Sequence, residues 1–459
     1  MPRSPALLEL FRALRTALQA DTRSGTRRRI RPPPLIGRLA RAFRSGLRLT
    51  FLSAAYGPPG RPSLWYAAAN SFAAADRTLP RSGGYALTLS VVVLLAAAPP
   101  SGRPPVGPLQ RYDPKIYDVR FEVTLNTVIT QGLANQRYHL ADTPIVMPVI
   151  FQGAYSTVLS DSLKPQLWLE GRTDARWADH WRVDDGYPHY THLVVMPVEE
   201  FHGSWLRWRL AWRVQVFSSR LTSEQDAAAV PWPRQWPDEV LDGLKPQMFI
   251  ESDDPFFKRA VEHASAGSLR LVPPYLAAKD LVRYCISHFR TSGDGVRRGN
   301  FGVLRGLQIT GARRAAAAGR GGPHDLVCIC VATLRAAGIP ARPVIGIQKR
   351  PLPKRGVEFV SWAEFYLPEV GWVPFDPDQL RRRSLGNLDV RRPWPEFGTM
   401  KDLNDRVPLA YHFMPAASVE TPQYPAVWGW DPRPWRDPSS EQQIRLSMIS
   451  RGRGVEDPG

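Results

Sequence analysis

A strongly apolar helix with a defined end, followed at once by strands, is the feature that most limits how this chain can fold. Apolar residues fill Pro323–Ala337, and the pattern stops at Gly338 and Pro340, residues typical of a helix C-terminus and the chain just beyond it. Strand-like runs follow at 343–347, 358–367 and 372–375. A helix that is apolar on every side must be buried. The sequence therefore predicts a helix enclosed within an α+β domain.

A second helix is predicted upstream of the apolar one. Ala277, Leu281, Cys285 and His288 recur at intervals of three or four residues, the spacing of an amphipathic helix. A loop rich in glycine and arginine, at about 292–322, joins the two helices. We assign these helices and the strands that follow to one domain over residues 250–400.

The region before this domain has the alternation of strands. Apolar and polar residues alternate along 117–125 and 206–216, and 191–198 is a third candidate. Regular strands separated by polar turns predict an antiparallel β-sandwich over 112–220. A proline- and tryptophan-rich linker follows at 221–249, and we expect residues 401–459 to pack on the core and to end in a disordered tail.

The N-terminal part of the chain holds most of its positive charge. Residues 1–110 contain 16 arginines, no lysine and three acidic residues, and so carry +13 of the formal net charge of +18. Residues 1–84 have no sustained periodicity, which indicates a disordered leader. The folded part is therefore not expected to bind nucleic acid, whereas the leader can contact a membrane surface or, as a further hypothesis, nucleic acid.

An apolar segment at 85–98 has the order of a secretory signal. Arg77 and Arg81 precede it, and small residues close it before a proline-rich linker at 99–111. Fourteen residues are short for a bilayer core of about 30 Å. Its position suggests that translation starts downstream and residues 1 to about 76 are not made. Alternatively, the segment is a weak anchor or an ordinary buried stretch. We expect a periplasmic, cell-envelope or secreted protein, or a cytoplasmic one if the segment is not a signal.

The cysteines do not predict a disulfide scaffold or a metal site. The chain has only Cys285, Cys328 and Cys330, and it lacks CxxC and HExxH motifs. We expect Cys328 and Cys330 to be small buried side chains, and we expect no metal and no cofactor.

Two segments of the core resemble a known family. The run 334–346, Leu-Arg-Ala-Ala-Gly-Ile-Pro-Ala-Arg-Pro-Val-Ile-Gly, is similar to the helix end and strand of the transglutaminase-like superfamily. The runs 361–368 and 371–377 resemble the hairpin that follows in that family. This resemblance, of the bacterial type, implies a transglutaminase-like (papain-type) α+β core, and the β-rich region before it resembles the sandwich that often precedes such a core.

The family's chemistry needs three groups. A cysteine opens the central helix, where free backbone N–H groups and the helix dipole stabilise a thiolate. A histidine on the following strands exchanges the proton, and an aspartate orients its imidazole. The resemblance places Pro323 at the cysteine position, Val360 at the histidine position and Asp376 at the aspartate position. It therefore implies a pseudoenzyme with a degenerate catalytic triad, in which only Asp376 is retained.

Other residues near these positions are candidates for a relocated site. His324 and Asp325 adjoin Pro323, and Cys328 is an alternative nucleophile more than one helical turn further on. Ser361 adjoins Val360, but neighbouring strand residues face opposite sides, so a Ser361–His324–Asp376 set is expected to need a bulge. Cleft candidates matched by the family's motif are Trp362 and Glu364, although Glu364 can equally pair with Arg342 and Trp362 can equally be core.

The sequence thus supports two hypotheses. The first is a non-catalytic transglutaminase-like protein that binds a protein, a peptide or a cell-wall component through the former cleft or the β-domain. The second is an active thiol acyltransferase or peptidase with a relocated catalytic set.

Overall fold

The structure, a computed structural model, describes residues 104–127, 138–141, 145–159, 161–170, 181–184, 191–196, 200–299, 302–349, 356–384, 388–413 and 440–454. The predicted leader and the signal-like segment at 85–98 lie outside these residues. No helix in the described ranges is long and apolar enough to cross a membrane.

The first domain consists of strands, and two of them are long. The longest, β1 and β10, pair antiparallel along nearly their whole length. In chain order the strands are β1 (Leu109–Thr127), β2 (Tyr138–Ala141), β3 (Ile145–Val149), β4 (Gln152–Gly153), β5 (Ser156–Val158), β6 (Lys164–Leu169), β7 (Arg182–Asp184), β8 (His192–Met196), β9 (Glu200–Gly203) and β10 (Trp205–Leu221).

The alternation predicted for β1 and β10 sorts their side chains onto two faces. Tyr117, Phe121 and Val123 of β1, with Trp208 and Leu210 of β10, are buried on the inner face. Strands β4, β5 and β6 extend the sheet beyond β10, and separate small sheets are formed by β3-β8-β7 and β2-β9. The antiparallel strands predicted for this region are therefore present.

The second domain begins with helices and continues into the core sheet. Its helices are α1 (Glu224–Ala229), α2 (Pro255–Ser265), α3 (Pro274–His288), α4 (Ala312–Ala318), α5 (Pro323–Ala336) and α6 (Pro377–Ser384), with short 3-10 turns at Asp238–Leu244, Leu269–Leu271 and Leu403–Asp405. Its strands are β11 (Arg290–Thr291), β12 (Val296–Arg298), β13 (Leu304–Leu307), β14 (Arg320–Gly321), β15 (Ala341–Lys349), β16 (Val357–Leu367), β17 (Gly371–Phe375) and β18 (Arg406–Ala410).

Helix α5 is the predicted buried helix, and it lies at the centre of this domain. Almost all of its residues are buried, and it ends at Gly338, whose φ of +75° is left-handed. It packs on the sheet β17-β16-β15-β18 and against α2, α3 and α4. Because β18 pairs with β15, this sheet extends to Ala410, beyond the boundary at 400 predicted from the sequence.

The C-terminal segment differs from the expectation. Instead of a disordered tail packed on the core, Ser440–Arg453 forms β19, which pairs antiparallel with β1 at the edge of the first sheet. Ile444 and Met448 are buried against the inner face, and pairing covers an edge that would otherwise expose N–H and C=O groups. The apolar alternation at 444, 446 and 448 was the available signal for this strand.

Candidate functional site

The N-terminus of α5 is held in place by Asp325. One carboxylate oxygen accepts the backbone N–H of Gly322 at 2.9 Å, which caps the helix. The other accepts from Thr310 at 2.7 Å and from Gly311 at 3.1 Å, which fixes the preceding loop. Pro323 occupies the first position of the helix, where its missing N–H leaves no helical bond unmade. Asp325 is thus a capping residue here, and it does not face an open cleft.

His324 and Ser361 are brought together beside this helix end. Nδ1 of His324 lies 2.7 Å from Oγ of Ser361, and the two residues are 1% and 8% exposed. Among the described residues, Nε2 of His324 has no hydrogen-bond partner. Burial lowers the pKa of His324 to about 4, although the carboxylate of Asp294 opposes the shift. The imidazole is therefore neutral at physiological pH.

The contact between His324 and Ser361 forms without a bulge, which corrects the expectation from the sequence. The pairing of β16 with β15 runs in unbroken register from Val357 to Phe365. Alternation along a regular strand places Val360 and Trp362 on the face opposite Ser361. Ser361, one residue after the position given by the family's spacing, is therefore the residue of β16 that reaches the N-terminus of α5.

The turn before β12 closes over this pair. Gly295 has a left-handed φ of +69°, and a Cβ added to it would lie 2.5 Å from Cδ2 of His324 and 3.2 Å from Cδ of Pro323. Only glycine fits so close an approach. The ring of Phe413 packs edge-on to His324 with centroids 6.4 Å apart. The space beside Pro323 is filled by packed protein on these sides.

Asp376, the retained member of the predicted triad, is engaged by groups other than a histidine. One of its oxygens accepts the backbone N–H of Gln379 at 3.0 Å and caps α6, and the other accepts from Arg406 at 2.7 Å. Arg406 and Asp376 are 2% and 6% exposed at their side chains. The predicted set of Ser361, His324 and Asp376 is therefore not assembled, since only its first two members meet.

Trp362 and Glu364 are interior residues. Glu364 accepts from Nε of Arg342 at 2.8 Å and lies 2.7 Å from a second nitrogen of the same guanidinium. That guanidinium lies between the rings of Trp372 and Tyr411, at 3.9 and 3.7 Å from their centroids. Trp362 is 2% exposed. The alternative interpretation from the sequence, an Arg342–Glu364 pair with Trp362 in the core, describes the structure.

All three thiols are buried, as the sequence predicts for Cys328 and Cys330. Cys328 and Cys330 are fully buried within α5, and burial raises the pKa of both. Cys285 of α3 donates to Oγ1 of Thr333 at 3.3 Å. Cys328 is thus a poor nucleophile, because a reactive cysteine needs access and a stabilised thiolate.

A charged cluster that sequence reasoning missed surrounds Asp376. Arg406 also bonds Asp402 at 3.1 Å, and Glu396 pairs with Arg383 at 2.7 Å. Burial, together with the carboxylates of Asp402 and Asp376, raises the pKa of Glu396 to about 7, although Arg383 and Arg406 oppose the shift. No group of three or more His, Cys, Asp or Glu residues within the described ranges is arranged to hold a metal ion.

Comparison with known proteins gives one family. Residues 271–377 match the model of the transglutaminase-like superfamily, a span that runs from α3 to β17. None of the curated proteins compared with the chain matches it.

Some solved structures are similar to this one in structure but share little sequence with it. A candidate cysteine protease from Cytophaga hutchinsonii is 13% identical, with 76% of this chain and 94% of that one covered and a TM-score of 0.42. The periplasmic domain of TgpA from Pseudomonas aeruginosa is 16% identical over 58% and 90% of the two chains, with a TM-score of 0.25. Red sea bream transglutaminase is 13% identical over 54% and 50%, with a TM-score of 0.21.

These TM-scores are too low to carry an argument about this chain. The assignment comes from the family match together with the motif residues, which the structure places on the end of α5 and on β15, β16 and β17. Residues 271–377 are therefore similar to the transglutaminase-like superfamily, and they lie within a core of α+β architecture.

Proposed function

We propose that this protein is a catalytically inactive member of the transglutaminase-like superfamily, and that it acts by binding a protein, a peptide or a cell-wall component. The observation that carries the proposal is Pro323 at the first position of α5. This is where the family's spacing places the nucleophilic cysteine, and a proline there has no group that can attack a carbonyl carbon.

Proline also removes a second group that acyl transfer uses. A tetrahedral intermediate needs N–H donors aimed at its oxyanion, and loss of one donor costs about 10²–10³ in rate. At the nucleophile position the backbone N–H is such a donor, and proline has none. One substitution therefore takes away both the attacking atom and a donor to the oxyanion, and a side chain elsewhere would have to replace both.

The acid–base groups are absent or occupied as well. Valine at position 360 cannot exchange a proton, and both oxygens of Asp376 already accept hydrogen bonds, from Arg406 and from the N–H of Gln379. A histidine that arrived at this site would have to share Asp376 with a buried guanidinium. These contacts support loss of function at every member of the triad.

The contact between Ser361 and His324 favours a second candidate, a serine acyl hydrolase or transferase. His324 would take the proton of Ser361 as the oxygen attacks. Three observations weigh against it: Ser361 is only 8% exposed, no carboxylate contacts the imidazole in the described structure, and a pKa of about 4 makes His324 a weak base. An effective general base has a pKa near the working pH.

Active-site probes distinguish the two candidates. The native protein is treated with iodoacetamide and with a fluorophosphonate, and it is also offered amine donors and peptide substrates. We expect neither probe to label it, because its thiols are buried and Ser361 is enclosed, and we expect no product. Labelling of Ser361 that disappears in the His324→Ala variant would overturn the proposal in favour of the serine candidate. Labelling of Cys328 with the same dependence would favour a relocated thiol.

A matched pair of variants shows that the assay can detect a thiol at this site. Pro323→Cys restores the nucleophile position at the helix N-terminus, and Thr333→Cys adds a thiol on the same helix at a fully buried position. We expect iodoacetamide to modify only Pro323→Cys, and we expect no turnover, since Val360 and Asp376 remain unsuitable. Turnover by this single variant would show that the remaining machinery is intact and would contradict the proposal.

We propose export as the protein's location. The support is the order of basic residues, apolar segment and small residues over 77–98. N-terminal sequencing of the mature protein after bacterial expression tests it. A start near residue 99 is expected, and a chain with residues 85–98 intact in the cytoplasmic fraction would refute it.

A further inference from the structure

The outer face of the first sheet carries a concentration of positive charge. On β6, β10, β1 and β19 this face presents two carboxylates, Asp118 and Glu122, and seven cations: Lys164, Arg207, Arg209, Arg213, Arg120, Arg445 and Arg451. We call this set the cationic face. Residues 111–459 together carry only +5 of formal charge, so the face holds a large share of the positive charge of the folded part.

The two carboxylates hold four of the arginines in place. Glu122 accepts from Arg209 at 2.8 and 2.5 Å and lies 3.8 Å from Arg445. Asp118 accepts from Arg213 at 3.1 Å and from Arg451. Burial raises the pKa of Asp118, but the hydrogen bonds from Arg451 and Arg213 more than offset this and hold it below its ordinary value. Each carboxylate is thus shared by two guanidinium groups.

Residues that pair across the strands form rows, one through Asp118 and one through Glu122. The row between them has no carboxylate. Arg120 of β1 stands opposite Ala211 of β10 and Ser447 of β19, and Ala211 in turn stands opposite Lys164 of β6. Among the described residues no ion pair is formed by Arg120 or Lys164, and both are exposed. Their neighbours, Ala211 and Ser447, are small and leave the row open.

This row forms the floor of a groove of about 560 Å³. Leu159, Asp161 and Ser162 line one wall, where Asp161 places a carboxylate beside the row of Arg120 and Lys164. Ile449, which is 58% exposed, lies on the opposite side. Two cations two strands apart are separated by roughly 10 Å, a distance that two carboxylates on one extended peptide can span. A groove with unpaired cations attracts anions and raises their local concentration.

We propose that the cationic face binds an extended acidic peptide segment that carries an aliphatic side chain. Its carboxylates pair with Arg120 and Lys164, and its aliphatic residue covers Ile449. The inference deepens the proposed function and rests on it in one respect, that the protein acts by binding.

Two features favour a peptide over other polyanions. Ile449 offers an aliphatic contact, which neither an acidic polysaccharide nor a nucleic acid can match with a side chain of its own. Single-stranded nucleic acid binds by stacking bases on exposed aromatic rings. In the groove Trp212 is only 4% exposed, and nearby Trp168 is covered by Arg207 and Arg209, at 4.6 and 4.9 Å.

Fluorescence anisotropy with a labelled peptide of alternating glutamate and leucine tests the proposal on the full chain. We expect saturable binding at low salt that weakens as salt screens the charges. Arg120→Gln and Lys164→Gln should each weaken binding by about three- to tenfold, and Ile449→Ser by a similar factor. The matched control is Arg234→Gln, which removes one exposed arginine in the linker and should leave the affinity unchanged.

Several results would overturn the proposal. They are absence of saturable binding, an equal loss in Arg234→Gln, no effect of Ile449→Ser, or tighter binding of single-stranded DNA or a polyuronate of matched charge. Photo-crosslinking of the peptide to the wild-type chain is a second measurement that does not depend on the folding of variants. Crosslinks on β1, β6 or β19 support the proposal, and crosslinks confined to other elements refute it. Probe labelling at the former active site, with peptide binding intact, would refute inactivity and leave this inference standing.

Discussion

The buried pair of Arg342 and Glu364 gives the sharpest test of how this core is held together. Their side chains are 0% and 4% exposed, and two nitrogens of Arg342 lie 2.7–2.8 Å from one oxygen of Glu364. The rings of Trp372 and Tyr411 enclose the guanidinium. The substitution Glu364→Leu removes the carboxylate and leaves a cation where water cannot easily reach it.

The expected cost is large because a charge is left behind. Removing one partner of a buried pair destabilises a protein by about 3–5 kcal/mol, against a total stability of about 5–15 kcal/mol. Because Arg342 is completely buried, we expect the loss in free energy of unfolding to lie within the range of about 3–5 kcal/mol. The double variant Arg342→Met/Glu364→Leu leaves no charge, so we expect it to be more stable than Glu364→Leu alone.

Urea denaturation followed by tryptophan fluorescence measures both effects. The control is Asp242→Ala, which breaks the exposed ion pair between Asp242 and Lys245, whose side chains are respectively 31% and 55% exposed. This substitution should lower the free energy of unfolding by less than about 1 kcal/mol. A loss below about 1 kcal/mol for Glu364→Leu would refute the reasoning. So would a double variant no more stable than the single one.

Two further predictions concern pH and complete the set. The pKa of Glu396 in the folded protein, about 7, lies above its ordinary value of 4.5, so the folded state binds the proton more tightly. The resulting contribution to the free energy of unfolding is present below about pH 4.5 and is lost as pH rises through 7. The wild-type protein should therefore lose roughly 1–3 kcal/mol of stability over this range, and Glu396→Gln should not. His324 has the opposite sign, because its pKa is lowered from 6.5 to about 4. The contribution of the neutral imidazole to the free energy of unfolding is present above pH 6.5 and is lost as pH falls towards 4. The wild-type protein should therefore lose roughly 2–3 kcal/mol between these pH values, and His324→Gln should not. Urea midpoints measured from pH 4 to 8 check both, and a variant curve parallel to wild type contradicts the corresponding prediction.

The sequence predicted the core most closely where local signals agree. Gly338 and Pro340 end α5, and a run rich in apolar and aromatic residues marks β16, so the bounds of both elements are predicted within one or two residues. These features depend on backbone conformation and on the period of burial, which nearby residues decide. The family's motif lies in this same stretch.

The contacts of the site could not be predicted in this way. Which residue of β16 meets His324 depends on how α5 docks on the sheet, and the family's spacing points to Val360 where the structure has Ser361. Asp376 meets Arg406 across 30 residues, and β19 returns to β1 from the far end of the chain. Such pairs are chosen by tertiary packing, for which a single sequence has no local signal.

The surviving motif residues are explained by structure without any appeal to chemistry. Asp376 caps α6 and neutralises the buried Arg406, Glu364 neutralises the buried Arg342, and Asp325 joins α5 to the loop before it. Loss of any of these carboxylates would leave buried donors or a buried cation unpaired, at a cost of about 1–5 kcal/mol. A cysteine at position 323 or a histidine at position 360 has no comparable duty, since proline suits the start of a helix and valine suits a strand. On the proposal that the protein is inactive, positions 323 and 360 are therefore the ones where the fold tolerates replacement. The presence of Asp376 and Glu364 is thus evidence for the fold and not for activity.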